Sequence, residues 1–303
     1  MKKIFLDPEA SLEVLNLNEN KKLKFLIVDG YAKASRDQFE ECGMTPAGEL
    51  YAILLLKHLP DAEYDIIYSS DPGVTVPDEE GLKSYDAILW PGCNLTVYHD
   101  HDERVVTMVK LAKAGFAIGL HQFGSCWAAQ LAVYVAGGEV KPNPKGREMG
   151  VARKIFLTDE GKKHPMYDGK TEVFDGFISH DDMITKLPEG CTCLASNDFT
   201  QVQAVEVVFE KGVFWATQYH PEYNLYEVAR LIIAREEKLT CEGYFKNHAD
   251  LIEYVEQLET IYKDSSRKDL RWKLVIDGDL LSDDVRELEF ANWLKKRVVP
   301  NAQ

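Results

Sequence analysis

No uninterrupted apolar run in this 303-residue chain approaches the ~20 residues needed to cross a bilayer. The N-terminal Met1-Lys2-Lys3-Ile4-Phe5-Leu6-Asp7-Pro8 carries two lysines, but Asp7 and Glu9 cut its apolar stretch short of a signal peptide. The expectation is a soluble, cytoplasmic protein with no membrane contact. Basic residues are in deficit, 35 Lys and Arg against 50 Asp and Glu for a net charge of −15, which argues against a nucleic-acid partner. Cysteine is sparse: the six (Cys42, Cys93, Cys126, Cys191, Cys193, Cys241) are scattered, and Cys191-Thr192-Cys193 is too close and isolated for a zinc knuckle. Reduced thiols follow. There is no Gly-rich phosphate loop, since Asp71-Pro72-Gly73 and Gly137-Gly138 are turn signals only, and no ATP-binding synthetase domain, internal repeat or low-complexity tract is visible. His99-Asp100-His101-Asp102 reads as the solvated start of a helix with acids favoured by its dipole, not as a metal site.

What is present is a core-forming chain, 45% hydrophobic, that alternates strand and helix patterns. Residues 1 to about 22 are polar and irregular, and Lys24 to Gly30 then reads as a buried strand. Thr45 to Glu49 predicts a capped helix with Leu50, Ile53, Leu54, Leu55 and Leu59 on its apolar face. Strands are predicted at 64–68 and 87–90, a helix at 101–115 and a strand at 116–121, which implies a parallel sheet covered by helices on both faces. After Gly137-Gly138 come strand signals at 154–157, 171–174, 191–196, 204–209 and 213–218, many antiparallel across short turns such as Glu210-Lys211-Gly212. A helix from Tyr223 to about Glu237 precedes an amphipathic helical extension. The division expected is 1–238 for the α/β unit and 239–303 for the extension.

Two segments carry chemistry. Gly119-Leu120-His121-Gln122-Phe123-Gly124-Ser125-Cys126-Trp127-Ala128-Ala129-Gln130 runs from an apolar stretch through a tight Gly-x-Cys turn into a helix. Backbone N–H groups at such a turn favour a thiolate at Cys126. Gln218-Tyr219-His220-Pro221-Glu222 supplies a base, His220, and a carboxylate, Glu222, to orient it. Pro91-Gly92-Cys93 ends another strand, and in open parallel sheets the site lies beyond the C-terminal ends of the strands.

These segments resemble the class I, triad-type glutamine amidotransferase family over residues 24 to 235. Arg147-Glu148-Met149-Gly150 and Phe177-Ile178-Ser179-His180-Asp181-Asp182 are similar to segments of the amidotransferase part of GMP synthetase. The resemblance implies a flavodoxin-like three-layer sandwich and a Cys126, His220, Glu222 triad. It also implies oxyanion donors on the backbone N–H of Gly92 and Trp127, and Gln130, Ser179 and His180 holding the α-amino and α-carboxylate ends of a glutamyl group. For Glu148 a structural, paired role at a strand start is at least as good. No metal or other cofactor is implied.

The chain departs from the family pattern at Ala128, where Gly is usual, at Trp127, and at Cys93 in place of a second oxyanion-strand Gly. Trp127 and Ala128 are expected to shape the pocket. The reading favoured is a stand-alone hydrolase of a γ-glutamyl amide, releasing glutamate and an amine, as in amine or aniline catabolism with a glutamine-synthetase-like partner making the amide. The alternative is the glutaminase subunit of a two-chain amidotransferase that passes ammonia to a synthase; a silent scaffold ranks below both. Self-association through the C-terminal helices is a further expectation.

Overall fold

The computed structural model describes residues 22–301, so the reading of the polar N-terminal stretch lies outside the described residues. Eleven strands are described: β1 Lys24–Asp29, β2 Glu63–Tyr68, β3 Ala87–Trp90, β4 His121–Ser125, β5 Glu139–Pro142, β6 Glu148–Leu157, β7 Val173–His180, β8 Asp182–Lys186, β9 Cys191–Ser196, β10 Ala204–Phe209 and β11 Gly212–Thr217. The principal sheet runs β2-β1-β3-β4-β11-β10-β9-β6-β7, with β5 and β8 forming a separate pair. Strands β2 through β11 are mutually parallel, and each neighbour beyond β11 is antiparallel.

The helices are α1 Lys33–Glu41, α2 Ala47–His58, α3 Glu79–Leu82, α4 Glu103–Ile118, α5 Trp127–Val135, α6 Leu225–Ala234, α7 Glu236–Cys241, α8 His248–Lys263, α9 Lys268–Leu274, α10 Gly278–Leu281, α11 Asp283–Arg286 and α12 Leu288–Trp293. The alternation of side chains along β1 divides the core in two. Leu26 and Val28 join the layer containing α4, α5 and α6, whereas Phe25 and Ile27 join the layer containing α2. An all-apolar run such as Phe25 to Val28 is what a strand buried on both faces requires. The α/β sandwich is thus as expected, with helices on both sides of the sheet.

The C-terminal helices serve both layers. Leu251, Val255, Leu258 and Ile261 of α8 bury themselves in the first layer, beside α6. Phe290 and Trp293 of α12 enter the second layer, where both rings meet Phe123 of β4 at centroid distances of 5.4 and 5.5 Å. Among the described residues no helix is long and apolar enough to cross a membrane.

Two local expectations are corrected. The strand expected at 116–121 begins at His121, because Phe116 to Ile118 complete α4 and Gly119 closes it in the left-handed conformation, φ 83°. Phe116 is apolar because it packs beneath the sheet, not because it belongs to it. The start of α2 has no capping side chain of its own. Asp29 of β1 instead receives the Gly48 N–H at 2.9 Å, while Thr45 is bound by Glu227 of α6.

Candidate active site

The turn from β4 to α5 is held tightly enough to impose an unfavourable backbone on one residue. Cys126 has φ 57° and ψ −110°, a conformation that costs a non-glycine residue about 1–3 kcal/mol. Its N–H donates to Thr217 O of β11 at 2.7 Å, and its carbonyl receives the Ala129 N–H at 3.0 Å. Gly124 makes the turn feasible: a Cβ there would lie 2.4 Å from Ala128 Cβ and 2.5 Å from Trp90 O. Ala128 therefore faces the core. It is fully buried and does not line the cavity at Cys126, contrary to the expectation that it would shape the pocket, whereas Trp127 does line it.

The chain leaving β11 brings His220 to Cys126. The His220 N–H donates to Phe177 O of β7 at 2.7 Å, and its ring stacks on Tyr223 at 4.1 Å with planes 6° apart. Nδ1 contacts Glu222 Oε1 at 2.6 Å. Burial disfavours the imidazolium, but the Glu222 charge and the interaction with Cys126 outweigh it and raise the His220 pKa to about 9. The same Glu222 oxygen accepts from Ser125 Oγ at 2.9 Å, and Ser125 Oγ accepts from Tyr51 OH at 2.8 Å. Tyr51 and Tyr223 carried no signal in the sequence, and Ser125 showed only as part of the turn.

Gly92, just beyond β3, lies against both partners: a Cβ there would sit 3.0 Å from Cys126 Cβ and 3.1 Å from His220 Cε1. Trp127 is the first residue of α5, so its N–H is one of the donors a helix start leaves without an intrahelical acceptor. Cys93 is buried beside them, and burial pushes its thiol well above the ordinary value.

A cavity of about 550 Å³ opens at Cys126. Gln130, Ser179 and His180 all line it. The Gln130 amide nitrogen donates to Asp182 O at 3.2 Å and to Gln218 Oε1 at 3.3 Å, and Ser179 O accepts from Cys126 Sγ at 3.4 Å. Both His180 ring nitrogens are engaged, Nδ1 with Asp182 O at 2.7 Å and Nε2 with Glu148 at 3.0 Å. Glu148 also accepts from Asn197 and Gln203, so its carboxylate ties β6 to its surroundings. Arg235, between α6 and α7, lines the same cavity; no motif pointed to it. His99 to Asp102 form the solvated approach to α4, with Asp102 accepting the Arg104 N–H at 3.0 Å. Among the described residues, no group of three or more His, Cys, Asp or Glu is arranged to hold a metal ion.

An elbow cysteine beneath a His-x-Glu pair on a sheet of this topology defines a class of protein, and residues 61–236 match the family described as glutamine amidotransferase class-I. The chain belongs to that family. It is 33% identical over 291 residues to a γ-glutamyl-L-1-hydroxyisopropylamide hydrolase of a Pseudomonas species, an alignment covering 93% of this chain and 95% of that protein. It is 30% identical over 160 residues to the glutamine-hydrolysing GMP synthase of Clostridium novyi, covering 53% of this chain and 29% of the synthase. In fold it is similar to a glutamine amidotransferase from Thermotoga maritima, with a TM-score of 0.63 at 16% identity over 91% of this chain and 98% of the other.

Proposed function

We propose that this protein hydrolyses the amide bond of a γ-glutamyl amide through a γ-glutamyl thioester on Cys126. The observation that carries the reading is the extent of its likeness to the γ-glutamyl-L-1-hydroxyisopropylamide hydrolase. An alignment over 93% of the chain takes in most of residues 239–303, whereas the GMP synthase alignment covers about half of the chain. A shared C-terminal extension favours a stand-alone hydrolase over a glutaminase subunit.

The Cys126 thiol proton rests on His220, and the sulfur attacks the γ-carbonyl carbon. The oxyanion of the tetrahedral intermediate is held by the N–H groups of Gly92 and Trp127, donors of a kind worth about 2.7–4 kcal/mol each. Collapse expels the amine, which takes its proton from His220 and leaves the thioester. Water, deprotonated by His220, then attacks the thioester carbon and releases glutamate and the free thiol. Glu222 keeps the imidazole oriented and supports its cation through the 2.6 Å contact at Nδ1. The pKa of His220, near 9, keeps the departing amine supplied with a proton at neutral pH. Gln130 and the backbone at Ser179 and His180 flank the glutamyl end, and Trp127 lines the cavity beside Cys126.

The test is glutamate release from glutamine and from a panel of γ-glutamyl alkyl- and arylamides. Faster turnover of the amides than of glutamine is expected. Negligible turnover of every amide until a synthase is added would favour the glutaminase reading instead.

A further inference from the structure

The guanidinium of Arg235 lies in the cavity wall one residue away from the Cys126 sulfur. Nη1 donates to Ser179 Oγ at 2.7 Å and Nη2 to Tyr31 OH at 3.4 Å, while Ser179 O receives Cys126 Sγ at 3.4 Å. Its partners are both hydroxyls. Three more deeply buried arginines are paired with acids: Arg36 with Asp71 at 2.7 Å, Arg147 with Glu242 at 2.8 Å and also with Asp181, and Arg286 with Asp283. Asp181, the acid whose field reaches Arg235, is itself held by Arg147 and Lys238. Among the described residues no carboxylate pairs with Arg235.

A guanidinium has five N–H donors in a planar fork suited to a carboxylate. Two are used here by neutral oxygens, and the half-buried guanidinium faces the cavity with the rest of its fork unpaired by any acid. The neighbouring wall offers a second clue. Ser179 presents its carbonyl to the nucleophile and its hydroxyl to Arg235, so sulfur and guanidinium are separated by the span of a short chain. A γ-glutamyl group has that form, with a reactive carbonyl at one end and a carboxylate two methylenes and one carbon away.

We propose that Arg235 receives the α-carboxylate of the γ-glutamyl substrate and thereby selects the free carboxylate over an uncharged amide at that end. The inference rests on the γ-glutamyl reading of the site. Arg235 is a binding residue for the substrate's far end; it moves no proton. When the α-carboxylate is converted to a carboxamide, no anion meets the guanidinium while the γ-carbonyl sits at Cys126.

The experiment compares γ-glutamyl-p-nitroanilide with its α-carboxamide analogue, in the full-length wild type and in Arg235→Gln and Arg235→Lys. The wild type should prefer the free carboxylate. In Arg235→Gln, kcat/KM for the carboxylate substrate should fall about 10- to 100-fold, chiefly through KM, with a much smaller change for the carboxamide. Arg235→Lys should retain part of the preference, because the charge stays while the fork is lost. Equal losses on both substrates, or a wild type that does not distinguish them, would overturn the assignment while leaving γ-glutamyl hydrolysis standing. A wild type inactive on every γ-glutamyl amide and on glutamine would overturn both. If Arg235→Gln fails to fold, Arg235→Lys carries the same two-substrate comparison.

Discussion

Ser125 Oγ lies 2.9 Å from Glu222 Oε1, on the carboxylate oxygen that also holds His220 Nδ1. The other oxygen, Oε2, is buried and has no hydrogen-bond partner among the described residues. A single oxygen therefore carries both the orientation of the imidazole and the tie to β4, and Tyr51 of α2 continues the chain from behind. Ser125, the residue before Cys126, thus steadies the carboxylate that steadies the His220 ring. Ser125→Ala should lower kcat for γ-glutamyl amide hydrolysis about tenfold, with KM little changed, the loss expected for a hydrogen bond to a charged group. A Tyr51→Phe, Ser125→Ala double-mutant cycle should show the two losses to be non-additive.

The histidine should be protonated through most of the working range. With its pKa raised to about 9, the alkaline fall in kcat/KM should begin near that pH. Glu222→Gln removes the attractive charge, so the limb should move to lower pH. The corresponding stability has a definite sign. The folded-state pKa exceeds the unfolded value of about 6.5, so His220 contributes stability fully below that value and loses it as pH rises through about 9. The difference in Tm between wild type and Glu222→Gln, followed from pH 6 to 10, should shrink across that window; a constant difference would contradict it.

Two glycines should fail in different ways. Gly124→Ala puts a methyl 2.4 Å from Ala128 Cβ and 2.5 Å from the Trp90 carbonyl, contacts that backbone must move to relieve. It should destabilise the fold by about 1–3 kcal/mol or more, read as a fall in denaturation midpoint. Gly92→Ala meets Cys126 Cβ at 3.0 Å and His220 Cε1 at 3.1 Å, contacts a small shift can relieve. Its effect should fall on kcat, by about 100-fold, with Tm nearly unchanged.

These glycines also show what a single chain discloses. The cysteine turn, His220 and Glu222 were legible because each lies in a short local segment whose residue types state their chemistry. Phe116 to Leu120 misled because an apolar run ends a buried helix as readily as it forms a strand; only the turn at Gly119 separates the two. Arg235, Tyr51 and Asp29 were illegible for another reason. Tyr51 meets Ser125 across 74 positions, and Arg235 meets Ser179 across 56, so their roles exist only after the sheet has formed. The insertion of β11 between β4 and β10, which brings His220 to the cysteine, is likewise a long-range fact.

The C-terminal helices should prove integral to the fold. Glu289 of α12 is fully buried, 2.7 Å from the Nζ of Lys170, and accepts from Tyr219 OH one residue before His220. Burial pushes the Lys170 pKa down against the pull of that acid. Glu289→Ala leaves Lys170 buried without its partner and should cost about 3–5 kcal/mol in denaturant unfolding. Lys170→Met combined with Glu289→Leu should recover most of the loss. If the single variant unfolds like wild type, this pair does not hold the extension in place.

The thioester on Cys126 is the central claim, and the most direct measurement is acid-quenched mass spectrometry of the enzyme within its first turnovers of a γ-glutamyl arylamide. The peptide containing Cys126 should carry a glutamyl group that decays as glutamate appears, and Cys126→Ala should show neither adduct nor turnover. Sustained glutamate release from Cys126→Ala would contradict the account.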